Sequence, residues 1–127
     1  MLPETPIVIL VVEDDSAVRQ PLVKFLQMRQ YSVVSAETAE EGVAAVTSRQ
    51  PAAAIIDLNL RSGSGREVVA AMPANTPVII FSGQRSESDD FDSRPLTRIV
   101  EKPYSLIMLL DTLQDMLEHR RDHRVAS

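Results

Sequence analysis

The chain has 127 residues, which at roughly 100–200 residues per domain predicts one domain spanning 1–127, and its 44% hydrophobic and 24% charged content is ordinary for a domain that buries its own core. The absence of cysteine excludes a disulfide scaffold, a thiolate metal site and a cysteine nucleophile. With 13 basic and 18 acidic residues the net charge is −5, which argues against nucleic-acid binding by this domain.

Ile7 to Val12 is a β-branched run that stops abruptly at Glu13-Asp14-Asp15, and it reads as a strand buried on both faces. It is too short to cross a bilayer and lacks the flanks of a signal peptide, so a cytoplasmic location without membrane attachment is expected. Val18, Leu22, Phe25 and Leu26 then recur at helical spacing behind a cap at Asp15 or Ser16. Pro21 is expected at the edge of the first turn, where a missing N–H costs little. Tyr31–Ala36 predicts a second strand, and Glu37–Arg49 a second helix with Ala39, Val43 and Val46 facing inward.

Ala52–Asp57 is a third strand, apolar until it ends in a carboxylate. The loop from Asn59 to Gly65 precedes a short helix over Arg66–Met72, and Val78–Phe81 forms a fourth strand ending at Ser82-Gly83. Residues 84 to 95 have a single apolar side chain, Phe91, and predict a short, frayed helix or a mobile loop. Arg98–Glu101 is a fifth strand. A long helix follows from about Ser105, with Leu106, Leu109, Leu110, Leu113 and Leu117 on one face. Residues 118–127 read as its solvated end or the start of a linker, and they hold both histidines, His119 and His123, away from any apolar segment that could wall a pocket. Strands and helices alternate, with short connections and strands apolar on both faces. That pattern predicts an α/β doubly wound parallel sheet of five strands.

In such sheets ligands bind beyond the carboxyl ends of the strands. Glu13 and Asp14 end the first strand, Asp57 the third, Ser82 the fourth, and Lys102 follows the fifth. Carboxylates about 4 Å apart repel by roughly 4 kcal/mol per pair at an effective dielectric of 20, so three of them need cations. Lys102 supplies one positive charge and a divalent ion the rest, and hard oxygen ligands favour Mg2+. Such a group can carry phosphoryl transfer, with Asp57 as nucleophile, Asp14 anchoring the metal, and Lys102 and Ser82 holding phosphoryl oxygens.

Four segments, Ile9-Leu-Val-Val-Glu-Asp-Asp15, Ile55-Ile-Asp-Leu-Asn-Leu60, Val78-Ile-Ile-Phe-Ser-Gly83 and Val100-Glu-Lys-Pro-Tyr104, stand in order at strand ends. Together they resemble the receiver domain of two-component response regulators, the chemotaxis-regulator family, over essentially the whole chain. The resemblance implies a flavodoxin-like (βα)5 fold with strand order 2-1-3-4-5. It implies that Asp57 is phosphorylated by a sensor histidine kinase or histidine phosphotransfer protein, and that Mg2+ is bound by Asp14, Asp57 and the backbone carbonyl of Asn59, with Glu13 acting through a water. Ser82 and Lys102 would engage the phosphoryl group, Gly83 suits the small residue beside it, and Asn59 and Gln84 stand where the family tunes dephosphorylation. The output would pass to a partner or to a C-terminal effector domain.

Ile99 departs from the pattern, because the family usually has a switch aromatic three residues before its lysine. The 84–95 stretch departs at the fourth helix. Arg61 stands where proline is frequent, and its effect is expected to be confined to the loop.

Plainer readings stand beside these. Glu13 and Asp14 could complement a helix dipole, Gly63 and Gly65 read as a turn, and Arg120, Arg121 and Arg124 offset a helix C-terminus. The leucine stripe is core, although the outer face of its helix could serve a homodimer. Against the phosphoacceptor switch stand a phosphorylation-independent pseudo-receiver module, motivated by Ile99 and the degraded 84–95 segment, and a magnesium phosphohydrolase. The latter is disfavoured by Asn59 in place of a second carboxylate and by a length that leaves no room for a cap, so no turnover enzyme is expected.

Overall fold

The computed structural model describes residues 6–83 and 94–126, with side chains through residue 119. Five strands, β1 (Val8–Val12), β2 (Ser32–Ala36), β3 (Ala53–Asp57), β4 (Val78–Ser82) and β5 (Thr97–Glu101), form one sheet in the order β2-β1-β3-β4-β5. Every neighbouring pair is parallel. Among the described residues the helices are α1 (Ser16–Met28), α2 (Ala39–Arg49), α3 (Gly65–Ala71) and α4 (Leu106–Ala126). This is the flavodoxin-like α/β arrangement that the sequence predicts. The frayed-helix expectation for 84–95 falls almost wholly on residues 84–93, outside the described residues.

The β-branched strands divide their side chains between two cores, as the two-residue period of a strand requires. Leu10, Val12, Ala54, Ile56, Val78 and Ile80 pack on one face against Ala39, Ala45 and Val46 of α2 and Val68 and Val69 of α3. Ile9, Val11, Ala53, Ile55, Ile79 and Phe81 pack on the other against Leu22 and Leu26 of α1 and Leu109, Leu110, Leu113 and Met116 of α4. The edge strands β2 and β5 contain half-buried and exposed positions, whereas β3 and β4 are buried throughout.

Helix caps set where each strand gives way to its helix. Asp15 caps α1 by accepting the Ala17 N–H at 2.9 Å, and Thr38 caps α2 by accepting the Glu41 N–H at 3.1 Å. Ser64 and Glu67 form a capping box on α3, which starts one residue earlier than the apolar spacing suggests. Pro21 lies deeper inside α1 than expected, because the helix begins at Ser16. The proline falls past the first turn, on an exposed face, and removes one backbone hydrogen bond there. Val43 and Leu117, expected to face inward, are half-buried. Met116 takes a core place that the leucine pattern did not assign.

Candidate functional site

Parallel pairing aligns the carboxyl ends of β1, β3 and β4 along one rim, with Val12 beside Ile56 and Asp57 beside Phe81. Three of the five residues singled out from the sequence are closed from solvent there: Glu13 is 1% exposed, Asp57 3% and Ser82 0%. One carboxylate oxygen from each of Glu13, Asp14 and Asp57 lies within 4.8 Å of the others, a group that could hold a metal ion. These are hard oxygen donors, the chemistry that suits Mg2+ or Ca2+.

Lys102 crosses from the end of β5 to complete the cluster. Its Nζ donates to Asp57 Oδ2 at 2.9 Å and to Glu13 Oε1 at 3.1 Å. Its backbone N–H donates to the Ser82 carbonyl at 3.1 Å, which extends the β4–β5 pairing to the rim. Burial opposes the ammonium charge, but contact with Asp57 and Glu13 outweighs it and holds the lysine pKa above its ordinary value. Glu13 goes the other way for an acid. Burial, and then the neighbouring Asp57 carboxyl, push it up to about 7, against the opposing contacts with the Asp15 N–H and Lys102.

The loop after β3 orients the central carboxylate. The Asn59 N–H donates to Asp57 Oδ1 at 3.0 Å, and Asn59 bridges to Ser64 as an isolated antiparallel pair. Gly63 takes a left-handed φ of 82°, as a turn glycine does. Gly65 does something other than turn. A Cβ there would collide with the Asp57 carbonyl oxygen, so glycine lets α3 begin directly against the end of β3. The sequence reading of both as a turn holds for Gly63, but it gives neither the close approach of Gly63 to Ala39 nor that of Gly65 to the Asp57 carbonyl.

Gly83 is exposed, and a Cβ there would meet nothing within 4 Å among the described residues. Ile99 is half-buried and packs against the α2/α3 core. Gln84 lies outside the described residues.

Three contacts escaped the sequence reading. Arg19 donates from Nη1 to the Glu13 carbonyl at 2.7 Å, and its Nη2 lies 3.2 Å from Glu37 Oε1, which ties the β1 rim to the loop after β2. Tyr104 stacks on Phe81 with ring centroids 4.2 Å apart and 17° between planes. Burial, with Glu13 nearby, raises its phenol to about 12. Arg61 reaches the site, contrary to the expectation that it affects only its loop. Its backbone N–H donates to Asp14 Oδ2 at 2.7 Å, with Nε 3.7 Å from the same oxygen. The signal for Arg61 was its non-proline identity four residues after Asp57, because only a residue with an N–H can make that bond.

The sequence of the chain matches an established family. The model of the response regulator receiver domain matches residues 9–114. The chain belongs to that family. The acid tolerance regulatory protein ActR of Rhizobium meliloti (strain 1021) is 36% identical over 78 residues, covering 59% of this chain and 40% of ActR. The photosynthetic apparatus regulatory protein RegA of Rhodobacter capsulatus is 37% identical over 78 residues, covering 59% of this chain and 42% of RegA. The matched part of the receiver chain thus spans about two-fifths of the length of these curated relatives. In fold, it superposes on the crystal structure of a CheY-like response regulator receiver domain protein from Methanospirillum hungatei JF-1 with a TM-score of 0.87. That match has 23% identity and covers 94% of this chain and 99% of the other. Among the described residues of the receiver domain, no helix is long and apolar enough to cross a membrane.

Proposed function

We propose that this receiver domain is a phosphoacceptor switch, in which Asp57 takes a phosphoryl group from a phosphohistidine on a sensor histidine kinase or histidine phosphotransfer protein. The observation that carries the reading is the position of Asp57. Its carboxylate is held at both oxygens, by Lys102 Nζ at 2.9 Å and the Asn59 N–H at 3.0 Å, beside two further carboxylates. A buried acid so fixed, in excess negative charge, is prepared for an electrophile that brings a cation with it.

In the transfer, the P–N bond of the donor breaks and a P–O bond forms to an Asp57 carboxylate oxygen. The electron pair stays with the donor imidazole, which takes up a proton from solvent. The residues present fit Mg2+, which would be held by Asp14, Asp57 and the Asn59 carbonyl, with Glu13 behind them, and would supply charge neutralisation at the phosphoryl oxygens. Lys102 remains protonated across the working range and pairs with a phosphoryl oxygen, while Ser82, one residue beyond the β4 partner of Asp57, donates to another. The Asn59 N–H restrains rotation of the acceptor carboxylate.

An open groove of about 530 Å³ adjoins Lys102, lined by Ala17, Val18, Pro21, Pro103, Tyr104 and Leu106, and offers a largely apolar seat for the phosphodonor protein. The added charge then biases the rim, and a partner or effector domain reads the change. The domain turns over no separate substrate, and its place of work is the cytoplasm, where such donors act.

Intact-mass measurement after incubation with Mg2+ and acetyl phosphate tests this. The wild type should gain one phosphoryl group and Asp57→Asn none. No gain in the wild type, or an equal gain in the variant, overturns the proposal. An output that Asp57→Asn leaves unchanged would instead identify a phosphate-independent interaction module.

A further inference from the structure

Among the described residues two cations serve the three carboxylates of the rim, and they differ in kind. Lys102 is 31% exposed in its side chain and tied to both Glu13 and Asp57. Arg61 is 84% exposed in its side chain and faces Asp14, which is 14% exposed. The two Arg61 contacts with Asp14 Oδ2 also differ. The backbone N–H, at 2.7 Å, is fixed by the loop and occupies one lone pair of the oxygen. The guanidinium, at 3.7 Å, makes a single long contact in solvent and can swing away at little cost.

We propose that Arg61 is a resident counter-charge on Asp14 that weakens and tunes the uptake of a divalent cation by the acidic rim. The proposal rests on reading that rim as a Mg2+ site. Lys102 and Arg61 each offset part of the negative charge of the rim, so a neutral residue at 61 leaves more of that charge to draw the cation. A positive charge a few ångströms from the cation site repels a doubly charged ion through solvent, and salt screens that repulsion because the guanidinium is exposed. The N–H contact survives substitution by any residue but proline, so it orients Asp14 without setting the salt dependence.

Calorimetric Mg2+ binding to the full chain separates these roles, at about 20 mM and about 300 mM monovalent salt. Arg61→Gln should bind about three- to tenfold more tightly than wild type at low salt, with the gap closing to less than about twofold at high salt. Arg61→Lys should stay near wild type. Arg98→Gln removes the same charge from an exposed pair with Asp115 and should leave affinity unchanged. Equal affinity of Arg61→Gln and wild type overturns the proposal, as does an equal gain in Arg98→Gln. If that equality accompanies loss of binding in Asp14→Asn, the metal site stands and only the role of Arg61 falls. No binding in either wild type or Arg61→Gln defeats the reading of the rim as a Mg2+ site, and the proposal with it.

Discussion

Glu13 and Asp14 are adjacent in sequence and belong to one acidic cluster, yet their surroundings differ. Glu13 is buried, braced by Lys102 and by Arg19 on its own carbonyl, and its carboxyl is pushed up to about 7. Asp14 is partly open and met by an exposed arginine and a loop N–H. The difference teaches that charge at one is set by desolvation and at the other by screening. Changes around Glu13 should therefore alter stability and pH response, and changes around Asp14 should alter cation uptake and salt response.

The largest effect should come at the third member of the cluster, Asp57. Gly65→Ala drives a Cβ into the Asp57 carbonyl, and urea unfolding should show a loss of about 3 kcal/mol, with slower acetyl phosphate labelling. A loss below about 0.5 kcal/mol would mean that the loop yields freely and that the cluster is not rigidly held. Lys102→Met comes next. It leaves Glu13 and Asp57 without their shared cation, and should cost about 2 kcal/mol at pH 8 and slow phosphorylation at least about tenfold. The stability loss should shrink toward pH 5 as Glu13 takes up a proton.

Glu13→Gln sharpens the contrast through pH. Folded Glu13 has its pKa raised from 4.5 to about 7, so between these values the native state holds a proton that the unfolded chain has released. This contribution is fully present below pH 4.5 and is lost as pH rises through about 7. In the absence of Mg2+, wild-type stability should fall by about 1–3 kcal/mol over that window, and Glu13→Gln should flatten the slope. An identical slope in the variant would remove Glu13 as its source. The smallest effect should be that of Tyr104→Leu, which loses the stack on Phe81 for about 1 kcal/mol without changing the pH slope.

The inner strands β1, β3 and β4 were legible because each is a compact apolar run that stops at a carboxylate or at Ser82-Gly83, and the two-residue period assigns its faces, whereas the edge strands β2 and β5 are shorter on apolar residues. Helix starts were less legible. The Ser64–Glu67 capping box moved α3 earlier, and the Asp15 cap placed Pro21 deeper than apolar spacing implied. Glu13, Asp14, Asp57, Ser82 and Lys102 could be picked out because parallel strands must deliver their ends to one edge.

By itself the sequence determined the alternation of elements, the buried strands and the roster of acids and base at the rim, since these follow from local hydrophobic period and from where apolar runs stop. Only the tertiary structure decided that Lys102 bridges Glu13 and Asp57, that Gly65 lies against the Asp57 carbonyl, that Tyr104 stacks on Phe81 and that Arg61 turns back to Asp14. The lysine bridge and the aromatic stack join groups far apart along the chain, and all four depend on backbone placement to within an ångström, which no periodicity encodes.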